Sequence, residues 1–354
     1  MIKDEYNIIG LMSGTSLDGV DLVYARFELR PKWSFQIIYS ETIPYSIQWV
    51  DKLSDLVNFT SDELKEVDVE YTHYLSQIIN TFISKHNIKV IDAICSHGHT
   101  ALHKPEENLT LQIGNLPIIS KLVGQTVVCD FRVADVTLGG QGAPLVPIGD
   151  KLLFPEFDFC LNLGGFANIS MDIQEERIAY DICPANIVLN WYIKKLGLDF
   201  DDKGQLASSG KVNIELLNSL NDLAFYSEKW PKSLGLEWVN AEVVPIIDAF
   251  QMEIKDILST FCEHIAFQVS KEINQKTDAQ VLVTGGGVYN SYVLERLKFY
   301  SKNKIVVPDS EIIEFKEALI FAFLGVLKLR NEVNCLKSVT GASRNHSSGK
   351  IYTP

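Results

Sequence analysis

Residues 7–27 of the chain read NIIGLMSGTSLDGVDLVYARF. Apolar residues end at Met12, a turn rich in glycine and hydroxyl side chains covers Ser13–Gly19, and alternating apolar residues resume at Val20. This pattern predicts a strand, a glycine-rich turn and a second strand. The same design recurs in residues 157–173, FDFCLNLGGFANISMDI, so the chain contains two such hairpins.

The segments around these hairpins predict an α/β protein. Thr60 and Glu63 have capping-box spacing ahead of apolar residues that recur every three or four positions, which predicts an amphipathic helix. Buried strands are predicted at 90–95, 126–129 and 281–284, and each ends in polar or glycine residues. Open α/β sheets place their ligands at such strand ends.

The chain length of 354 residues indicates two domains. The clearest break in periodicity is the segment LGGQGAP at residues 138–144. We therefore expect one lobe at residues 1–140 and a second at residues 141–354. A helix is also predicted near residues 312–330, and we expect it to pack back toward the cleft between the lobes.

Composition and charge exclude several classes of protein. The formal net charge is −13 and no basic block stands out, so neither nucleic acid nor an anionic membrane is an expected partner. The acidic start does not fit a signal peptide, and the strongest apolar run, Ala318–Leu327, is too short to span a bilayer. These features predict a cytoplasmic protein. The six cysteines are scattered, which predicts reduced, buried thiols and not disulfides or a metal site.

Three glycine-rich strand ends are candidates for binding a nucleotide. Glycine lets backbone N–H groups approach phosphate oxygens, and Asp18 or Asp21 is suited to hold Mg²⁺ through water. Taken alone, the first loop is also explained by a simple hairpin turn. The chain has neither a P-loop nor an early dinucleotide-binding fingerprint, so opposed hairpins remain as the ATP-binding design. The expected ATP and phosphate contacts are Gly14, Thr15, Ser16, Asp18, Gly19, Asp21, Gly164, Gly165, Gly285, Gly286 and Gly287.

Several motifs resemble those of the anhydro-N-acetylmuramic acid kinases. They are GLMSGTSLDGVD at 10–21, SHGHT at 96–100, LQIGN at 111–115, DFR at 130–132, GGQGAPLVP at 139–147 and GGG at 285–287. The matches run from the first strand to near the end of the chain. The resemblance implies the two-lobed fold of actin, hexokinase and the seventy-kilodalton heat-shock chaperones, built from ribonuclease H-like domains. It also implies that ATP and Mg²⁺ bind between the lobes.

The resemblance further implies a coupled reaction in cell-wall recycling. Water opens the 1,6-anhydro bridge of 1,6-anhydro-N-acetylmuramic acid, and the departing O6 takes the γ-phosphoryl group of ATP. The family's base falls on Asp181, and Mg²⁺ is expected at Asp18 through water. The implied substrate contacts are His97, Thr100, Arg132, Gln141, Asn186 and Glu317.

Without the resemblance, two of these acidic residues have plainer explanations. Asp181 stands before a Cys-Pro turn, which is typical of a cap or turn residue. Glu317 at the start of an apolar helix is typical of a solvated charge on a helix face. Sequence alone leaves these alternatives open.

The basic candidates are equally open to structural explanations. His97 and His99 follow a predicted strand, where histidines are often simply hydrogen-bonded. Arg132 is explained by contact with the lactyl carboxylate or a phosphate, or by an ion pair with Asp130 or Asp135.

Three positions depart from the family pattern. Cys183 and Ala185 replace glycines in the motif around Asp181, where glycine permits a positive φ. Leu236 replaces an arginine, which removes a bidentate anion contact. These departures leave open an ATP-dependent kinase for a different amino sugar, and the fold leaves open a non-enzymatic nucleotide-binding module. Family members often pair, so a homodimer is compatible with the resemblance.

Overall fold

The structure is a computed structural model that describes residues 2–14 and 16–354. Its strands are β1 Glu5–Ser13, β2 Gly19–Leu29, β3 Trp33–Pro44, β4 Ala93–Lys104, β5 Leu109–Ile113, β6 Val127–Cys129, β7 Phe159–Leu163, β8 Phe166–Ile173, β9 Glu176–Pro184, β10 Gln280–Thr284, β11 Lys304–Val306 and β12 Lys350–Tyr352. Its helices are α1 Ile47–Ser54, α2 Ser61–Lys85, α3 Ile118–Val123, α4 Val133–Thr137, α5 Pro147–Leu153, α6 Asn186–Ile193, α7 Gln205–Ser209, α8 Ile214–Asn221, α9 Leu236–Trp238, α10 Val244–Ala249, α11 Ile254–Ile273, α12 Ser291–Tyr300, α13 Ser310–Leu329 and α14 Lys337–Thr340. Short 3₁₀ and π turns lie between several of them.

The chain forms two compact units. Unit 1 comprises Met1–Phe154 and Phe315–Pro354, and unit 2 comprises Pro155–Glu314. This division differs from the predicted one, which placed the boundary at residue 140 and the whole C-terminal part in the second lobe. The physical reason is strand pairing, because β12 near the end of the chain adds antiparallel to β6 of the first sheet.

Unit 1 is built on a seven-stranded sheet. Its strand order is β12-β6-β4-β1-β2-β3, with β5 paired to the distal part of β4. The first three strands form an antiparallel meander, whereas β4 runs parallel to β1 and β6 runs parallel to β4. The predicted first hairpin and the strands around 90–95 and 126–129 are therefore confirmed.

Unit 2 repeats this arrangement with five strands. Its order is β11-β10-β7-β8-β9, in which β7, β8 and β9 form an antiparallel meander and β10 and β11 continue it in parallel. In both units the chain visits the sheet positions in the order third, second, first, fourth, fifth. That order is the ribonuclease H-like topology of the actin-like ATPase fold, so the predicted fold class is confirmed.

Helix α2 begins as the sequence predicts. The Thr60 hydroxyl accepts a hydrogen bond from the Glu63 amide, and the Glu63 carboxylate accepts one from the Thr60 amide. These reciprocal bonds satisfy two amide donors that have no partner inside the helix. Beyond the cap, residues such as Tyr71, Leu75 and Phe82 are buried in the core on one face of the first sheet.

Helix α13 packs unusually close to the sheet of unit 1. At Gly325, an added Cβ would overlap the Cys95 sulfur atom on β4. Glycine is required here because no larger side chain fits between this helix and the strand. The middle of the helix, from Ala318 to Leu327, is almost entirely buried. Its apolar composition thus reflects burial, and no helix among the described residues is long and apolar enough to cross a bilayer.

Candidate active site

The turn between β1 and β2 carries the first set of predicted phosphate contacts. Asp18 is exposed, and its carboxylate has no hydrogen-bond partner among the described residues. Asp21 lies on β2, where its carboxylate accepts a hydrogen bond of 2.6 Å from the Thr42 hydroxyl. Gly14 is half-buried, Ser16 is exposed and Gly19 is buried as the first residue of β2. The predicted contact at Thr15 lies outside the described residues.

Arg132 and His97 are brought into direct contact. Arg132 Nε donates to His97 Nε2 at 2.8 Å, and Arg132 Nη1 donates to the Gly142 carbonyl at 2.6 Å. His97 Nδ1 donates to the Gly98 carbonyl at 2.9 Å, which fixes the tautomer that leaves Nε2 as an acceptor. Burial and the adjacent guanidinium hold the pKa of His97 well below its usual range. His97 is therefore a neutral acceptor that orients Arg132.

The ion pairs that the sequence offered for Arg132 are not formed. Asp130 pairs instead with Lys350 at 2.6 Å. The Asp135 carboxylate instead accepts a hydrogen bond from the Gly142 amide in the loop after α4. The remaining N–H groups of Arg132 have no hydrogen-bond partner among the described residues. They are therefore available to an anion.

Glu317 lies on α13 within the electrostatic influence of Arg132. Its side chain is exposed, as the plain helix-face explanation predicts, although neighbouring protein atoms partly desolvate the carboxylate. This desolvation raises the pKa of Glu317, Arg132 opposes the shift, and Asp21 adds to it. Glu317, Arg132 and Asp21 thus form one coupled group of charges in unit 1.

Asp135 is a residue of this site whose role the sequence did not reveal. It is fully buried on α4, and its Oδ2 accepts a hydrogen bond of 2.7 Å from the Gly142 amide. Because Gly142 also supplies the carbonyl that Arg132 contacts, Asp135 positions the acceptor of Arg132. The sequence offered Asp135 only as an ion-pair partner of Arg132. The three-residue spacing places both side chains on one short helical turn.

Two predicted substrate contacts form no hydrogen bonds with Arg132 or His97. Thr100 lies on β4 opposite Gln112, whose amide nitrogen is 3.5 Å from the Thr100 hydroxyl. Gln141 is exposed, and its backbone amide donates to the Thr340 carbonyl at 2.8 Å. Their predicted roles remain predictions.

A buried chain of polar side chains also lies in unit 1. The Ser13 hydroxyl is 2.7 Å from His99 Nδ1 and 2.6 Å from the Tyr45 hydroxyl, which in turn is 2.5 Å from the Tyr71 hydroxyl. Burial lowers the pKa of His99 to about 4, so this histidine is neutral near pH 7. The alternative of a simply hydrogen-bonded histidine therefore describes His99 well. Ser13 lies in the first glycine-rich motif, whereas Tyr45 and Tyr71 gave no functional signal in the sequence.

In unit 2, the structure brings the two predicted glycine loops together. The turn between β7 and β8 holds Gly164 and Gly165, and Gly285–Gly287 follow β10, which pairs in parallel with β7. A Cβ at Gly287 would approach the Leu163 carbonyl oxygen to 2.8 Å, so the loops are in contact. Gly165 and Gly286 are exposed. A side chain at Gly286 would meet open space, and a Cβ at Gly165 would only touch the Ile187 Cβ, at 3.8 Å. A phosphate can approach this backbone closely.

Asn186 is hydrogen-bonded to the turn between β7 and β8. It is the first residue of α6, its amide donates to the Gly164 carbonyl at 3.2 Å, and its side-chain nitrogen donates to the Leu163 carbonyl at 3.3 Å. The neighbouring Ala185 amide donates to the Gly165 carbonyl at 2.8 Å. Asn186 therefore holds the β7–β8 turn, and its predicted sugar contact is a separate proposal.

Asp181 lies near the end of β9 in an environment suited to a base. Its Oδ2 accepts a hydrogen bond of 2.9 Å from the Leu234 amide, and its own amide donates to the Lys232 carbonyl at 3.3 Å. The other carboxylate oxygen has no hydrogen-bond partner among the described residues. Burial raises the pKa of Asp181, and the Leu234 N–H partly offsets that shift. The half-buried carboxylate is held at one oxygen and open at the other.

The departures from the family pattern adjoin this carboxylate. Cys183 and Ala185 are buried, and Ala185 has φ −132°, so the turn after β9 forms without a positive φ at either position. The segment that contains Lys232 and Leu234 supplies the backbone contacts of Asp181. Leu236, where the family pattern has arginine, is 46% exposed on α9. The replaced arginine thus belongs to the segment that contacts Asp181.

The family model for anhydro-N-acetylmuramic acid kinase matches residues 6–354. The chain is 34% identical to the anhydro-N-acetylmuramic acid kinase of Haemophilus influenzae, covering 99% of this chain and 98% of that protein. It is 35% identical to the enzyme of the same name from Pasteurella multocida, covering 97% and 96%. Among solved structures, a xylulose kinase from Lactobacillus acidophilus aligns over 98% of this chain and 94% of its own, with a TM-score of 0.46 and 12% identity. The two bacterial kinases and the family model span essentially the whole sequence, and the chain belongs to the anhydro-N-acetylmuramic acid kinase family.

Proposed function

We propose that this protein uses ATP to open the anhydro ring of 1,6-anhydro-N-acetylmuramic acid and to phosphorylate its O6. The products are N-acetylmuramic acid 6-phosphate and ADP. Family membership over nearly the whole chain supports this activity. The observation that carries the mechanism is the Asp181 carboxylate, because one of its oxygens is held by the Leu234 amide while the other is open.

Asp181 acts as the general base. It takes a proton from the water whose oxygen forms a bond to C1 of the sugar. The C1–O6 bond breaks, O6 forms a bond to the γ-phosphorus, and the bond between that phosphorus and the β–γ bridging oxygen breaks. The raised pKa of Asp181 makes its carboxylate a stronger base than an ordinary aspartate. The hydrogen bond from Leu234 keeps the carboxylate oriented and favours its ionised form.

The glycine loops and the β1–β2 turn are assigned to ATP and Mg²⁺. Bound ATP supplies the phosphoryl group, and Mg²⁺ supplies neutralising charge. The exposure of Gly165 and the open space at Gly286 fit close approach of a phosphate to the backbone. The exposed carboxylate of Asp18 fits a hard cation that retains its water ligands. The remaining assigned phosphate contacts are Gly14, Thr15, Ser16, Gly19, Asp21, Gly164, Gly285 and Gly287.

Arg132 and Glu317 are assigned to the sugar. The guanidinium has N–H groups to spare after contacting His97 and Gly142, and a planar guanidinium matches a carboxylate such as the lactyl group of the substrate. Glu317 offers an acceptor to a sugar hydroxyl. Thr100, Gln141 and Asn186 are assigned as further sugar contacts on the strength of the family motifs.

Two further properties are proposed with this function. The protein works in the cytoplasm, where ATP is available.

It forms a homodimer, which would cover part of the apolar surface at Trp191, Leu198 and Phe200, each about half exposed or more. Sedimentation velocity at working concentration tests the dimer, and a single monomeric species would refute it.

The experiment that tests the function measures label and phosphate together. The protein is incubated with 1,6-anhydro-N-acetylmuramic acid, ATP and Mg²⁺ in ¹⁸O-labelled water, and the product is analysed by mass spectrometry. We expect phosphate at O6 and one heavy oxygen at C1. Asp181→Asn keeps the shape but removes the base, so we expect its turnover to fall by at least about 100-fold. Phosphorylated product without label would overturn the coupled mechanism.

A kinase for another amino sugar is the second candidate, and Leu236 is the observation that favours it. An arginine at this exposed position would add a cation beside the segment that contacts Asp181, and leucine removes it. In this alternative, Asp181 deprotonates a sugar hydroxyl and no heavy oxygen enters the product. Turnover of a free amino sugar, with none of the anhydro sugar, would favour this alternative.

A further inference from the structure

A cluster of three metal-ligating side chains lies behind the loop that holds Arg132. Asp135 comes from α4, and Cys335 and His346 come from the C-terminal segment of unit 1. One ligand atom from each side chain lies within 4.8 Å of the other two. Asp135 and Cys335 are at most 1% exposed, and the His346 side chain is 8% exposed.

The backbone fixes two of these side chains relative to one another. Cys335 and His346 form an isolated antiparallel bridge, in which each amide donates to the other's carbonyl at 3.1 Å. Directly opposed residues of an antiparallel pair project their side chains to the same side. The thiol and the imidazole therefore face Asp135 together.

His346 has a buried nitrogen without a partner. Its Nδ1 is 3.2 Å from the Arg344 carbonyl, which can only accept, so Nδ1 carries the proton. Its Nε2 then has a lone pair, no hydrogen-bond partner, and lies 3.6 Å from Asp135 Oδ1. Two buried lone pairs that face each other are unfavourable unless something positive lies between them. An imidazole whose far nitrogen donates to a carbonyl is also the usual arrangement of a metal-bound histidine.

The other ligand atoms converge on the same point. Asp135 Oδ1 lies 3.0 Å from the Cys335 sulfur atom and 2.8 Å from the Thr340 hydroxyl. Both groups donate to Oδ1 while the thiol is protonated. Replacing the thiol proton with a cation converts this set into a thiolate, an imidazole and a carboxylate, with a hydroxyl beside them.

We propose that Asp135, Cys335 and His346 form a binding site for a borderline-soft divalent cation, for which Zn²⁺ is the best match. Thiolate, imidazole and carboxylate are the three side-chain ligands that Zn²⁺ takes in proteins, and the Thr340 hydroxyl or one water completes four-fold coordination. Mg²⁺ is a poor match, because it requires oxygen ligands in octahedral geometry. Binding forms a sulfur–metal bond and releases the Cys335 thiol proton to solvent.

The site is structural. Asp135 Oδ2 accepts a hydrogen bond from the Gly142 amide, and the Thr340 carbonyl accepts one of 2.8 Å from the Gln141 backbone amide. A cation on Asp135 Oδ1 therefore ties the C-terminal segment to the loop whose Gly142 carbonyl contacts Arg132. Binding of the cation stabilises this loop and does not enter the phosphoryl-transfer step.

The test uses the full chain, stripped with a chelator under reducing conditions and titrated with Co²⁺ and Zn²⁺ without nucleotide or sugar. We expect one Zn²⁺ per chain and, with Co²⁺, the near-ultraviolet charge-transfer band of a cobalt–thiolate bond. Cys335→Ser abolishes that band. His346→Gln weakens Zn²⁺ binding by at least about 100-fold, because even an outer partner of a ligand changes affinity 10- to 100-fold.

Matched controls separate this site from any other. Cys262→Ser changes a buried thiol of unit 2, and His73→Gln changes an exposed histidine on α2, so both should bind like the unaltered protein. Zn²⁺ should also raise the thermal midpoint of the unaltered protein and of both controls, but not that of His346→Gln. The proposal is overturned if the stripped protein takes up no Zn²⁺, or if Cys335→Ser and His346→Gln bind it like the controls.

Discussion

Replacing Arg132 by lysine tests the assignment of this side chain to the lactyl carboxylate. Arg132 uses Nε and Nη1 to contact His97 and Gly142, which leaves further N–H groups for a substrate anion. Lysine has a single nitrogen and cannot serve His97, Gly142 and a carboxylate with the same geometry. A hydrogen bond to a charged group contributes about 1.5–3 kcal/mol. Since 1.36 kcal/mol corresponds to a factor of ten, kcat/KM should fall by roughly 10- to 150-fold.

The assay compares two substrates, so that structural damage cancels. Arg132→Lys also leaves the buried His97 Nε2 without its donor, and this lost hydrogen bond lowers kcat/KM equally for any substrate. 1,6-Anhydro-N-acetylglucosamine lacks the lactyl carboxylate, so the ratio of kcat/KM for the two sugars isolates the carboxylate contact. Arg330→Lys is the matched control, because Arg330 pairs with Glu332 on another part of unit 1. An unchanged ratio in Arg132→Lys would show that Arg132 does not bind the carboxylate.

Two further predictions concern the base and the packing of α13. Because burial raises the pKa of Asp181, kcat/KM should fall as the pH drops through that pKa, with an acid midpoint above the ordinary aspartate value of about 3.9. The pH–rate profile measures it, and a midpoint at or below the ordinary value would contradict the assignment. Gly325→Ala should lower the free energy of unfolding by about 1–3 kcal/mol, because the added methyl group overlaps with Cys95. The higher helix propensity of alanine should offset up to about 1 kcal/mol of this loss. Combining it with Cys95→Ala should restore most of the loss in denaturant titrations, and no restoration would mean that another contact is responsible.

Local signals in the sequence were enough to predict an α/β protein with two strand–turn–strand units, and the family resemblance implied the two-lobed fold. The hairpin around Ser13–Gly19 and its repeat around Gly164 depend on neighbouring residues, and so does the capping box of Thr60 and Glu63. Such features carry their information within a few positions. The domain boundary could not be read in this way. It depends on β12 near the end of the chain pairing with β6, a contact between residues far apart in sequence.

The same distinction holds for the candidate site. The motif glycines are recognisable because their spacing at strand ends forms a pattern, whereas Asp181 is recognisable only through its resemblance to the family motif. The partner of each side chain is not recognisable, because His97 and Arg132, or Asp181 and Leu234, meet only after the sheets form. The Asp135 cluster is the extreme case. Asp135 is two hundred residues from Cys335 in sequence, so scattered cysteines and histidines predicted no metal site.

The repeated topology places a carboxylate differently in the two units, which fits the different roles assigned to them. Asp21 is the third residue of β2, and its cross-strand partner is Thr42 on β3. Asn168 is the third residue of β8, and its partner on β9 is Asp181. The two units thus place a carboxylate at the same level of an equivalent strand pair, but on opposite members of it. In unit 1 the carboxylate is on the strand that follows the first glycine turn, beside the groups assigned to phosphate and Mg²⁺. In unit 2 the carboxylate of Asp181 is on the next strand outward, where it contacts the Leu234 segment and is assigned as the base.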